Sequence, residues 1–230
     1  MKHTLPNPMT NGQQIFGLCY LVAQQFAIPY LLMAIVLWLR LPISDLWLNF
    51  VLFLVNFLVV VTVFARFLEK DLRLLGKGFW PAVCTCVTGF VLYWAANMLL
   101  SICIAIYFPG FSNANDTNIQ SMADKQFPLM FIGTVLLVPT VEETLYRGVI
   151  YGSLQRHSRV LACAVSTVLF AAVHVISYIG AVEPLYLLIS VLQYIPAGLC
   201  LAWAYAQSGT IFVPILIHTA VNLVGMLAMR

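Results

Sequence analysis

Two adjacent carboxylates and an arginine stand in the stretch VPTVEETLYRGVIYG, residues 138–152, inside an otherwise apolar segment. That segment, 127–151, is long enough to cross a bilayer as a helix. A charge near the bilayer centre costs about 3 kcal/mol on insertion scales and more in simulations, so three together require mutual pairing, a water-filled cavity, or both. Glu143 and Arg147 are four residues apart, share a helix face and can pair. Glu142 lies about 100° further round the helix, so one arginine does not easily serve both carboxylates. One carboxylate is left for other work.

Three more polar groups follow in apolar surroundings: His174, His218 and Asn222. Each has an ordinary reading as an interhelical hydrogen bond, worth about 0.6–2 kcal/mol in a membrane. The same reading suits Asn49, Asn56 and Asn97, and Glu143–Arg147 reads as a structural pair whatever else it does. Against this, ionisable groups inside a membrane are functional by default. A glutamate, two histidines and an asparagine from three separate helices also form a coherent hydrolytic set. Glu142, taken out of water, would be a stronger base and could draw a proton from a water that a histidine holds. Attack on a peptide carbonyl creates an oxyanion, and His218 and Asn222, four apart, can both face it from one helix side. Glu143 would fix the helix through Arg147 or orient His174. A metal is the competing version: a zinc ion held by Glu143, His174 and His218 would have two histidines and a carboxylate with an open position. No HExxH occurs, and Glu142 cannot easily be both ligand and base, so Glu143 would have to be the ligand or Asn222 would have to join.

The elements that must position these groups are membrane helices. The chain of 230 residues is 62% hydrophobic and 8% charged, against roughly 25% charged in soluble domains. Apolar runs of about 20 residues recur, which gives an all-α polytopic transmembrane bundle of about seven helices. Expected spans are 15–39, kinked at Pro29, then 46–67, 80–107, 127–154, 160–180, 185–206 and 213–229. The first is too long for a signal-peptide core and is read as a retained span. Residues 66–78 mix charge with Leu72, Leu74 and Leu75, which suits an amphipathic piece at the interface. Residues 108–126, rich in Asn, Asp, Ser, Pro and Gly, are expected to form one long polar loop. It would divide residues 1–126, three helices with few polar groups, from a four-helix catalytic core at 127–230.

Net charge is +3 without a basic stripe, which gives no reason to expect nucleic acid as a partner. All six cysteines lie in apolar runs without a CxxC and read as packing residues. Lys2, Arg66, Lys70, Arg73, Lys77, Arg156 and Arg159 fall on one side of a seven-helix topology, and Arg40, Lys125 and Arg230 on the other. That asymmetry places the N-terminus in the cytoplasm. Counted along the helices, Glu142 lies ~13 Å, His218 ~8 Å and His174 ~21 Å from the cytoplasmic ends, so the three are expected at unequal depths.

Three motifs stand in order on separate helices: EETLYR at 142–147 fits EExxxR, FAAVH at 170–174 fits FxxxH, and HTAVN at 218–222 fits HxxxN. With them, the chain resembles the CAAX-protease and bacteriocin-processing (CPBP, or Abi) family of intramembrane endopeptidases, which includes the type II CAAX prenyl endopeptidases. The resemblance covers roughly 127–230. It implies that Glu142 activates water and His174 helps to position it. It further implies that His218 and Asn222 stabilise the oxyanion, that Glu143 and Arg147 support the site, and that Phe170 packs beside it. Such enzymes are often classed as metalloendopeptidases, while a metal-free glutamate mechanism is also argued for them. Many relatives carry a further helix after the third motif. The implied substrate is a membrane-associated or prenylated peptide or protein, and the setting a lipid bilayer, with a bacterial plasma membrane favoured. A role in bacteriocin immunity follows by family analogy alone. Two rival readings use the same polar groups as a proton relay of a transporter or as the glue of a non-catalytic scaffold.

Overall fold

The computed structural model describes residues 5, 6 and 8–230; Lys2, counted above for orientation, lies outside them. Among the described residues the chain is helical, with no strand beyond an isolated bridge at Ile179 and Val182. We number the helices α1 (Asn11–Trp38), α2 (Asp45–Val63), α3 (Ala65–Lys77), α4 (Phe79–Tyr107), α5 (Ala114–Leu154), α6 (Arg159–Val173), α7 (Pro184–Ser208) and α8 (Phe212–Ala228). Five of them, α1, α2, α4, α5 and α7, are long and apolar enough to cross a membrane. Large apolar side chains such as Trp38, Trp80, Ile106 and Val160 point outward, as lipid-facing residues do when the surrounding solvent is hydrocarbon. This is an integral membrane protein.

Helix α5 is the hub, packed against α1, α2, α6, α7 and α8. Its course is irregular for identifiable reasons. Residues Ile132–Leu137 are π-helical and lead into Pro139, just as the π-helical turn Ala23–Ala27 of α1 leads into Pro29. Proline has no N–H to give and its ring crowds the carbonyl four residues back, which a wider turn relieves. A third π-helical stretch, Thr144–Tyr151, follows the two glutamates and is buried throughout.

The segment 108–126 differs from the expected loop. It is helical from Ala114, capped by the Asn113 side chain on the Asn115 N–H, and interrupted only at Gln126 (φ −150°, ψ 73°). Ile119, Met122 and Ala123 form an apolar stripe that packs towards Met130 and Met226. The polar composition around that stripe hides its helical period.

The expected helix 160–180 is also shorter: α6 stops at Val173, and His174 is its C-cap. The Phe170 carbonyl, which a continuing helix would engage by a backbone N–H, accepts the His174 Nδ1–H at 2.7 Å instead. A single 3₁₀ turn, Ile176–Tyr178, and Gly180 at φ 85° then reverse the chain. With 15 and 17 residues, α6 and α8 rise only about 22 and 25 Å, short of a hydrocarbon core of about 30 Å. His218 stands in α8, and His174 caps the C-terminus of α6.

Helix α3 does more than lie at an interface. One face is exposed, but Phe67 and Asp71 are buried. Asp71 accepts the Ile211 N–H, and the Thr210 hydroxyl donates to the Asp71 backbone carbonyl, so α3 clamps the turn that starts α8. That turn begins at Gly209, whose φ of 71° suits a residue without Cβ. No disulfide joins the cysteines; the Cys200 thiol, for one, donates to the Gly89 carbonyl.

Candidate active site

Glu143 and Arg147 are both fully buried, and their ion pair forms as the spacing requires, with Nη1 to Oε1 at 2.9 Å. The guanidinium is held from three sides. Nη2 donates to the Gly198 carbonyl of α7 at 3.2 Å, and Cζ lies 4.3 Å from the centre of the Phe170 ring. Gly198 permits this approach: a Cβ there would stand 2.6 Å from Thr167 Cγ2 and 3.0 Å from Thr167 Cα of α6. Glu143 Oε1 also accepts the His218 Nδ1–H at 2.8 Å. Arg147 therefore neutralises a carboxylate whose task is to hold a histidine of α8, not His174.

Glu142 faces elsewhere. Its Oε2 accepts no hydrogen bond from any described residue. Two imidazole nitrogens approach it, His174 Nε2 and His218 Nε2, each at 3.9 Å. The tautomers follow from the partners. Phe170 offers a carbonyl and Glu143 a carboxylate, both acceptors, so each histidine carries its hydrogen on Nδ1. When neutral, both rings present Nε2 lone pairs towards a third acceptor, Glu142 Oε2. Three acceptors facing one another repel unless hydrogens or a cation stand between them. The two hydrogens of a water, or a proton on one ring, supply what is missing.

The ring planes are fixed from behind. His174 stacks on Tyr194 with centroids 4.2 Å apart, and Phe170 touches His174 and His218 at 4.8 and 5.9 Å. The Tyr194 hydroxyl donates to Asp116 and accepts from Asn115, both in the helical part of 108–126. Neither Tyr194 nor Asp116 stood out in the sequence, since one reads as a core aromatic and the other as a loop acid.

Asn222 lies in the same helix as His218, and its Nδ2 donates to the Thr134 carbonyl at 2.8 Å, in the π-helical stretch of α5. One amide hydrogen is thereby used, and one remains. Counting along the helices put the three groups at unequal depths, yet Glu142 Oε2 stands 3.9 Å from Nε2 of both His174 and His218.

The donors around Glu142 and Glu143 are not placed as a metal ion requires. Glu143 bonds His218 through Nδ1, on the opposite side of the ring from the Nε2 that faces Glu142. Glu143, His174 and His218 therefore do not face one point. Glu142 with the two Nε2 atoms does converge, but at 3.9 Å, wider than the about 3.4 Å between ligands of a tetrahedral zinc ion. Among the described residues no group of three His, Cys, Asp or Glu stands close enough to hold a metal. This arrangement does not fit the ion.

A cavity of about 150 Å³ opens on Glu142 from the side of α1 and α2, with Gln24, Asn56 and Val173 in its wall. The site is thus reached from the helices that precede α5, while α6, α7 and α8 close its back.

Residues 124–224 match the family model described as type II CAAX prenyl endopeptidase, Rce1-like. No curated protein and no solved structure gives a match. The matched span runs from the end of the polar segment to just past Asn222 and holds Glu142, Glu143, Arg147, Phe170, His174 and His218. Those side chains come from three helices, and the fold brings them around one carboxylate. Over residues 124–224, this membrane protein is therefore similar to the Rce1-like type II CAAX prenyl endopeptidases, a family of membrane-embedded proteases.

Proposed function

We propose that the protein is an intramembrane endopeptidase that hydrolyses a peptide bond with water activated by Glu142. One observation carries the reading: Glu142 Oε2 lies 3.9 Å from Nε2 of both His174 and His218 and accepts no hydrogen bond, while the neighbouring Glu143 is neutralised by Arg147. In this reading a water gives one hydrogen to Glu142 and the other to His174 Nε2. Glu142 takes a proton as the water oxygen attacks the carbonyl carbon. The oxyanion accepts hydrogen bonds from protonated His218, held by Glu143, and from the second Nδ2–H of Asn222. Collapse breaks the C–N bond, and Glu142 passes its proton to the leaving amine. Protein groups alone activate the water in this reading, since Glu142 and the two Nε2 atoms stand too far apart for a tetrahedral zinc ion.

The substrate class is a membrane-associated or prenylated peptide, reaching Glu142 through the cavity beside α1 and α2. The basic side chains of 66–77 and 156–159 support a cytoplasmic N-terminus, and a bacterial plasma membrane is the proposed setting. The test is cleavage of a broad peptide library, prenylated tails included, by the protein and by Glu142→Gln, with and without a chelator. Cleavage by the unsubstituted protein alone, unaffected by chelator, is expected. Chelator-sensitive cleavage would overturn the metal-free step. Equal cleavage by both proteins would overturn the role of Glu142.

A further inference from the structure

The family match begins at residue 124, yet the space in front of Glu142 is walled by helices that precede it. Gln24 and Gln25 of α1 and Phe53 and Asn56 of α2 line the cavity together with Glu142 and Val173. Three carboxamides thus share one small space with the carboxylate. Two of them have partners. Gln25 Nε2 donates to the Ser177 hydroxyl at 3.4 Å, in the turn after His174, and Asn56 Oδ1 accepts the Tyr20 hydroxyl at 2.7 Å. The Tyr20 bond fixes the Asn56 amide, so its Nδ2–H₂ end is the free one. Gln24 hydrogen-bonds no described residue.

An unpaired carboxamide on an apolar membrane helix is costly and calls for a ligand with the same mix of donor and acceptor. A peptide unit has that mix: one N–H and one C=O. A free terminal carboxylate, an acceptor only, would look for a cation, and among the described residues the cavity wall holds no Lys or Arg. The one carboxylate of those residues in the wall is Glu142, which would repel such an end. We propose that Gln24 and Asn56 form a substrate subsite that hydrogen-bonds the main chain of an extended, uncharged peptide segment opposite Glu142. It rests on the peptidase reading above and adds a residue class outside the matched segment. The Gln25–Ser177 bond ties α1 to the chain just after His174, which keeps subsite and catalytic groups in register.

The test uses the full chain in lipid nanodiscs. The probe is a fluorescent farnesylated peptide, with a set of the same peptide N-methylated at one position at a time. Binding is read by anisotropy in the Glu142→Gln background, where turnover does not interfere, with and without Gln24→Leu. Gln24→Leu is expected to weaken binding about fivefold, the loss of one neutral hydrogen bond, with an unchanged melting temperature. One N-methylated peptide should lose a similar factor on the Gln24 protein and nothing further on Gln24→Leu. A purely structural role of Gln24 would not produce that coupling. Equal affinities, or N-methyl penalties that persist in Gln24→Leu, would overturn the subsite. Cleavage by the unsubstituted protein is measured in parallel. Cleavage without a Gln24 effect sinks the subsite alone; absence of both binding and cleavage sinks the peptidase reading with it.

Discussion

Glu142 and Glu143 are neighbours in the chain and sit in opposite surroundings. The Glu143 side is closed: fully buried, paired with Arg147, bonded to His218 and packed against Phe170 and α7. The Glu142 side is open to a cavity, and its Oε2 meets two imidazoles at 3.9 Å without a hydrogen bond. The local charge count explains the division. One arginine is available, the helix turns about 100° per residue, and Arg147 pairs with Glu143 and not with Glu142. In the proposed reading Glu142 is the group that takes the proton from water. The closed side should therefore govern folding and the open side turnover.

Glu142→Gln should give the largest effect and the sharpest separation. The amide keeps the shape but cannot take a proton. Loss of a general base costs about 10²–10⁴ in rate, measured as kcat/KM on a cleaved peptide. The melting temperature should stay the same, because Oε2 accepts no bond from the protein. A variant that melts far lower would erase the distinction between the two sides.

Arg147→Ala should do the reverse. It leaves Glu143 charged in a fully buried site, which costs about 3–5 kcal/mol, read by denaturation in detergent. Arg147→Lys should recover little, because a single ammonium cannot reach Glu143 and the Gly198 carbonyl together while stacking on Phe170. The double variant Glu143→Gln/Arg147→Met, which removes both charges, should be more stable than Arg147→Ala alone. If it is not, the ion pair is not what holds the closed side together.

The two sides were unequally legible in the sequence. The i,i+4 pair of Glu143 and Arg147 and the set-aside Glu142 follow from helix spacing, and the structure places all three so. Phe170 and His174 at the end of α6 and His218 in α8 stand around these groups, in the order of the motifs. The hydrogen-bond partner of Glu143 was not readable: it is His218 and not His174, a choice made by the packing of α8 against α5, which no local pattern reports. Asn222 spends an amide hydrogen on Thr134, a carbonyl made available in a π-helical stretch that sequence periodicity does not announce. The helix in 108–126 was hidden because composition outweighed its apolar stripe, and with it the Asp116–Tyr194 support behind His174.

Gly198→Ala probes the closed side from its far wall. A new Cβ would meet Thr167 Cγ2 at 2.6 Å and Thr167 Cα at 3.0 Å. The second contact is backbone, so the helices must part, and overpacking of this kind costs about 1–3 kcal/mol. Displacing α7 also moves the carbonyl that holds Arg147. The expected result is a lower melting temperature with kcat reduced far less than in Glu142→Gln. An unchanged melt would mean that α6 and α7 yield more easily than their contact suggests.

Phe170→Leu should give the smallest effect, at a ring that, like His218, touches both sides. The ring lies under the Arg147 guanidinium at 4.3 Å and against both histidines at 4.8 and 5.9 Å. Leucine fills much of the volume but has no ring face for the cation, a contact worth about 0.5–2 kcal/mol. It also leaves both imidazoles freer to tilt away from Glu142. The expected outcome is a melt lowered by that modest amount together with a fall in kcat of less than tenfold and little change in KM. A fall in stability alone would mean that Tyr194 and Glu143 suffice to hold the histidines. A fall in kcat as large as that of Glu142→Gln would mean that the ring sets the imidazole geometry almost by itself, and the open side would then depend on the closed one far more than their separate hydrogen bonds indicate.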